Sequence, residues 1–186
     1  MSRIPQFDQD LLELITKIDY DEAFDVYYRR VKPHLIGFPK QVISEWLYRH
    51  DNFIDRFGHH DLLRWSFEEA IFTTQDIFEV NLFPSKKVSV LDVGNHIWRD
   101  QWIRESEPAL SLRNTGTFPS PIIIFKNAQE YVDHCGENHI GPYHLAEGHK
   151  RWGYMNAIVN YPERCDLIKP LKAEHKVYLL TMNGNM

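Results

Sequence analysis

Tyr143-His144-Leu145-Ala146-Glu147-Gly148-His149-Lys150-Arg151-Trp152 changes its hydrophobic pattern at one glycine. The part from Pro142 to Ala146 reads as a strand, Gly148 marks a turn, and Trp152 to Val159 forms an apolar stretch of helical character. Upstream, Pro121-Ile122-Ile123-Ile124-Phe125 is short, β-branched and continuous, the pattern of a strand buried on both faces. Asn127 is placed to cap a following helix, with Glu130 three residues later as in a capping box, and Gly136 is its stop. Downstream, Lys176-Val177-Tyr178-Leu179-Leu180-Thr181 reads as a closing strand. Lys87-Val88-Ser89-Val90-Leu91-Asp92-Val93 alternates and predicts a further strand, while Arg99 to Ser120 is poorly patterned. Strands separated by helices imply a mixed sheet with crossover connections.

The residues before this region read as helical. Leu11, Leu12, Leu14, Ile15 and Ile18 form one stripe, and Ala23, Phe24, Tyr27 and Val31 a second that Asp19 can cap. Pro33 ends that helix and Pro39 opens a third, where the missing N–H costs nothing. Val42, Ile43, Trp46, Leu47, Ile54 and Phe57 continue it to Gly58. Leu62, Leu63, Trp65, Phe67, Ala70 and Ile71 suggest a fourth helix, less regular than the third. The expected fold is α+β: a helical N-terminal region over 1–84 and a small mixed α/β domain over 85–186.

Composition narrows the function classes. The chain has 186 residues with 43% apolar and 25% charged, ordinary for a folded protein. Its net charge of −5 argues against nucleic acid as a partner, since phosphate neutralisation dominates that affinity. Cys135 and Cys165 form no CxxC pair and no disulfide framework. The N-terminus lacks the apolar core of a signal peptide, and no run reaches the length of a membrane span. A soluble, cytoplasmic protein with no membrane partner is the expectation.

The turn carries the chemistry. A helix N-terminus offers N–H groups without intrahelical partners and a positive dipole end. Gly148 allows close approach of the backbone to a ligand. His149, Lys150 and Arg151 add donors and charge where cations oppose the helix dipole, an arrangement that an anion balances. Arg151 can clamp phosphate in a bidentate fork, and His149 can donate a hydrogen bond or move a proton near neutral pH. The competing reading is a solvated basic turn. The P-loop pattern Gly-x-x-x-x-Gly-Lys-Ser/Thr is absent.

Pro121-Ile122-Ile123-Ile124 followed by Tyr143 to Trp152 resembles the ParB/sulfiredoxin-like superfamily. Its members pair a Pro-Ile-Ile-Val-type strand with a second strand that runs into a Gly-x-x-Arg turn and a helix. The resemblance spans roughly 86 to 182 and rests on these two segments; residues 1 to 84 match no named family. It implies a turn that binds nucleotide phosphates, with ATP or ADP and Mg2+ as the cofactor. Gly148 and Arg151 match the shared glycine and arginine and inherit that role. Glu147 stands where ADP-dependent free serine kinases carry Asp, and His149 matches their first histidine. His149 replaces the sulfiredoxin cysteine, which sets aside sulfinic acid reduction, and the ParB glutamate, which sets aside CTP hydrolysis of that kind. No helix-turn-helix segment follows the motif, so a ParB-like DNA clamp is not expected. Glu105 and Glu107 are the nearest candidates for the family's upstream acidic base, beside His149 as a catalytic residue.

Other groups in the sequence have plainer readings beside a functional one. His134, Cys135, His139, His144 and His149 crowd one stretch and include zinc-ligand types, but a strand and a turn separate them and scattered histidines are the plainer reading. His59-His60 reads as a solvated junction. Cys135 next to His134 lacks a third orienting group for nucleophilic catalysis. Trp98 and Trp102, four apart, can stack on a base or pack inside the protein. Two functions compete, with nucleic-acid binding through the basic turn standing behind both. One is a nucleotide-dependent enzyme of phosphoryl transfer or hydrolysis. The other is a non-catalytic protein-binding regulator, immunity or antitoxin-like, whose N-terminal helices recognise a partner.

Overall fold

The computed structural model describes residues 9–16, 21–50, 62–126, 131–132, 138–139 and 141–182. They form an α+β protein. Close contacts group the chain into two compact units, one of 1–68, 131–138 and 180–186, the other of 69–130 and 139–179.

In the first unit, α1 (Gln9–Thr16) and α2 (Phe24–Val31) follow the two apolar stripes. Tyr27 is buried and its hydroxyl donates to the Ile15 carbonyl at 2.9 Å. Arg30 bridges to Glu22 at 2.6 Å. Ala23 takes the N-cap position of α2; Asp19 lies outside the described residues. As expected, α2 stops before Pro33, and Pro39 caps α3 (Lys40–Val42). That helix widens into a π-turn over Ile43–Leu47, where the Tyr48 N–H reaches the Ile43 carbonyl at 2.9 Å. Its expected continuation through Ile54 and Phe57 to Gly58 lies outside the described residues. Trp46 and Phe38 stack on Trp65 with centroids 5.9 and 6.1 Å apart.

The fourth helix expected from Leu62 to Ile71 is instead a short 3-10 turn, Leu62–Arg64, followed by strand β1 (Trp65–Thr73). Trp65, Phe67, Ala70 and Phe72 are its covered positions. The phase slips at Glu68-Glu69, so the spacing fits neither period cleanly, and packing of large aromatics decides for the strand. Thr73 then caps α4 (Thr74–Glu79) in a capping box with Asp76.

Two further expectations fail here. Residues 87–93 are not a strand but part of α5 (Pro84–Arg99), with proline in its first turn. Val90, Gly94 and Ile97 are buried at helical spacing, whereas Val88, which made the alternation, is 80% exposed. The stretch from Arg99 to Ser120 is mostly helical, as α6 (Gln101–Arg104) and α7 (Glu107–Thr115). Gly116 closes α7 at φ 73, and a Cβ there would sit 2.2 Å from the Pro170 carbonyl oxygen.

The strands β2 (Ile122–Lys126) and β5 (Tyr143–Glu147) and the helix α8 (His149–Asn160) form where the sequence places them; α8 starts three residues earlier than Trp152. Between them lie the two-residue strands β3 (Tyr131–Val132) and β4 (Asn138–His139), paired with each other. The expected helix from Asn127 to Gly136 therefore gives way to strand at Tyr131–Val132; Asn127, Glu130 and Gly136 are outside the described residues. With β6 (Glu174–Met182), the main sheet runs β1-β6-β2-β5. Ile122, Ile124, Leu145 and Val177 from the sheet and Trp152, Met155 and Ile158 from α8 share one core. Gly94 of α5 and Gly153 of α8 let these helices meet backbone to backbone: a Cβ on Gly94 would lie 2.3 Å from the Gly153 oxygen. Among the described residues no helix is long and apolar enough to cross a membrane.

Candidate phosphate-binding turn

β2 and β5 pair antiparallel, with Ile123 opposite Glu147 and Ile124 opposite Leu145. Ala146 is the extra residue on β5, a bulge just before the turn. The bulge breaks the alternation of sides, and His144, Leu145 and Ala146 are buried in succession. The other edge of β5 is taken by Asn81, whose N–H donates to Tyr143 O at 3.0 Å and whose carbonyl accepts from Leu145 N–H at 2.9 Å. β5 is thus held on both sides as far as Leu145, and by β2 alone at Glu147.

Gly148 makes the turn with φ 100. This is the left-handed region in which a side chain is strained, and the space is closed as well: a Cβ would lie 2.5 Å from Ile122 Cγ2. The apolar strand beginning at Pro121-Ile122 therefore forms one wall of the turn. The Trp152 N–H donates to Gly148 O at 2.8 Å, the first bond of α8. No side chain caps this end, and its first turn carries His149, Lys150 and Arg151 but no acidic residue. By helical geometry, the N–H groups of those three residues have no intrahelical acceptor. Trp152 fixes the helix direction, since its Nε1–H donates to Ile77 O at 2.9 Å and its ring meets Phe78 edge-on at 5.7 Å.

The three basic residues part company. Arg151 is 5% exposed and points inward. Its Nη2 donates to Glu147 Oε2 at 2.5 Å, and its Nη1 donates to Ser120 O at 3.1 Å and to Ser120 Oγ. The guanidinium thus ties β5, the approach to β2 and α8 together beneath Gly148. His149 is half-buried, with Nε2 shielded from solvent and the ring centroid 6.3 Å from that of Phe83. Lys150 is exposed, with no ion pair among the described residues.

Glu105 and Glu107 both lie on the surface at the junction of α6 and α7. Glu105 accepts from Gln101 Nε2 at 2.9 Å, and no hydrogen bond or ion pair joins either carboxylate to the turn. The residue between them, Ser106, donates to Ile103 O at 2.6 Å; burial raises the proton affinity of the Tyr154 hydroxyl on α8, and the Ser106 side chain partly offsets this. Ser120 and Phe83 carry no motif that marks them in the sequence as part of the turn's surroundings. Only the position of Ser120, directly before the Pro-Ile-Ile-Ile strand, could have pointed to it.

Of the crowded histidines, His144 is buried in β5 and His139 lies in β4, while His134 and Cys135, like His59 and His60, are outside the described residues. Among the described residues no three His, Cys, Asp or Glu side chains gather as metal ligands. Trp98 and Trp102 do not act as a pair. Trp98 meets Tyr161 edge-on at 5.2 Å with the Arg164 guanidinium 5.9 Å above it, whereas Trp102 is 73% exposed.

Compared with protein-family models, curated proteins and solved structures, the chain finds no match.

Proposed function

We propose that the turn from Glu147 to Trp152 binds the phosphate of a nucleotide such as ATP or ADP, through the first-turn N–H groups of α8 and the Lys150 ammonium. The observation that carries this is the uncapped start of α8 at a left-handed glycine, with a cation-rich first turn. The antiparallel pairing of β2 with β5 supports the same reading, because it is the strand pair that the ParB/sulfiredoxin-like resemblance calls for. Arg151 has a different part from a free clamp: both its Nη groups are engaged, by Glu147 and Ser120, so it holds the turn in shape for the ligand. Magnesium fits only as an ion carried by the nucleotide, since the nearest carboxylate, Glu147, is taken by Arg151.

A second reading, a non-catalytic regulator that keeps the fold, is favoured by one observation. Neither Glu105 nor Glu107 contacts the turn, so neither stands as a general base beside the phosphate site. The experiment is calorimetric titration with ATP, ADP, CTP and GTP, with and without magnesium, on wild type and Lys150→Ala, followed by a turnover assay on each nucleotide that binds. Binding weakened in Lys150→Ala supports the phosphate site. Binding without turnover selects the regulator, and absence of binding at millimolar concentration removes the nucleotide reading.

A further inference from the structure

His175 stands near the start of β6 and is 1% exposed. Each ring nitrogen meets a threonine hydroxyl: Nε2 lies 3.1 Å from Thr74 Oγ1, and Nδ1 lies 2.9 Å from Thr117 Oγ1. The Thr74 hydroxyl donates its one proton to the Lys172 carbonyl at 3.1 Å. With its proton there, it accepts from the ring, an arrangement that assigns the imidazole proton to Nε2 and leaves Nδ1 to accept from Thr117. The Phe118 ring lies beside it with centroids 5.4 Å apart.

The surroundings favour the neutral ring. From α4 it faces Thr74, and from the loop after α7 it faces Thr117 and Phe118; none of these is charged. From the segment before β6 it faces Lys172, whose positive charge adds to burial in lowering the proton affinity, partly offset by a bond to the Lys172 backbone. Its neighbours Glu174 and Lys176 are exposed, and Lys176 pairs with Glu69 of β1 at 3.6 Å. Among the described residues no carboxylate pairs with the ring. A proton from solvent added at Nδ1 would bury a cation beside Lys172 and force the Thr117 hydroxyl to find another acceptor.

We propose that His175 is a pH-operated latch: neutral, it ties Thr74, Thr117 and the segment leading into β6 together, and protonated, it lets them part. Two backbone bonds lie under the latch, Lys172 N–H to Gly116 O at 2.9 Å and Thr74 N–H to Ala173 O at 3.1 Å. Beyond Thr117 the same loop runs to Ser120, which holds Arg151, so release loosens the support of the turn. The latch does not depend on what that turn binds.

The test is amide hydrogen exchange on the full chain, following Lys172 and Thr74 with Trp152 of α8 as the internal control. Between about pH 7 and about pH 5, the protection factors of Lys172 and Thr74 should fall by about tenfold or more while that of Trp152 holds. His175→Gln should remove that pH dependence. A loss of protection shared equally by all three amides, or one that persists unchanged in His175→Gln, overturns the latch. If the variant does not fold, the imidazole nitrogen spectrum of wild type decides. A neutral Nε2–H ring persisting where exposed histidines are charged supports the latch, and a ring that titrates with them contradicts it.

Discussion

The Arg151 guanidinium lies 2.5 Å from the Glu147 carboxylate, across the left-handed glycine that joins β5 to α8. Both side chains are nearly out of solvent, at 6% and 14% exposure, so the pair is a structural clamp rather than a surface ion pair. Arg151→Met should destabilise the protein by about 3 kcal/mol, because it removes the buried cation that balances the Glu147 charge. The double variant Arg151→Met/Glu147→Leu should recover most of that loss, since apolar replacement of both partners removes the stranded charge. Urea denaturation of the two single variants and the double measures the coupling. Equal costs for Arg151→Met and the exposed Lys150→Ala would contradict the clamp.

Gly148→Ala meets two penalties at once, a positive φ and a Cβ 2.5 Å from Ile122 Cγ2. The backbone penalty alone is about 1–2 kcal/mol. Thermal unfolding should show a loss of at least about 2 kcal/mol, and nucleotide affinity should fall with it.

The crossing of α5 and α8 sets two opposed terms against each other. Alanine in place of Gly94 gains about 1 kcal/mol of helix propensity. The new methyl would lie 2.3 Å from a backbone oxygen that is not a flexible side chain, and overpacking costs about 1–3 kcal/mol. The clash should win, so Gly94→Ala and Gly153→Ala both lower the melting temperature. A neutral or stabilising result for either would mean that the helices separate readily.

These predictions lean on contacts that the sequence reveals unevenly. Ile122 to Phe125 and Tyr143 to Glu147 were legible because consecutive β-branched or apolar residues bounded by Pro and Gly leave few alternatives. Pro33 and Pro39 marked helix limits for local steric reasons. The stretch from Trp65 to Thr73 was not legible as strand, since the phase slip at Glu68-Glu69 disguises its period. Residues 87–93 failed for the opposite reason: the alternation was clean, but Val88 is exposed and the buried positions Val90, Gly94 and Ile97 only declare a helix over a longer window. At the site, Gly148 could be read as a turn from its own position. That Ser120 is the partner of Arg151 has only its place before the Pro-Ile-Ile-Ile strand as a signal, because the pairing is made by the β2–β5 register and not by spacing in the chain.

Cys165 is buried, its Sγ–H donates to Tyr161 O at 3.4 Å, and burial, reinforced by Glu163 and Asp166, pushes its thiol up to about 11. A raised thiol favours the folded state below its unfolded value. That contribution is lost as pH rises past the unfolded value towards the folded one. In a Cys135→Ser background, a thiol reagent at about pH 8 should modify Cys165 only as fast as the protein unfolds. Rapid modification of the folded protein would contradict the burial.

The central claim, a phosphate at the start of α8, is tested most directly by amide chemical-shift mapping while ADP is titrated into the full chain. Saturable shifts are expected at the backbone N–H groups of Gly148, His149, Lys150 and Arg151, weakened in Lys150→Ala. Unshifted amides at that turn with ADP at millimolar concentration, or shifts centred elsewhere, would contradict it.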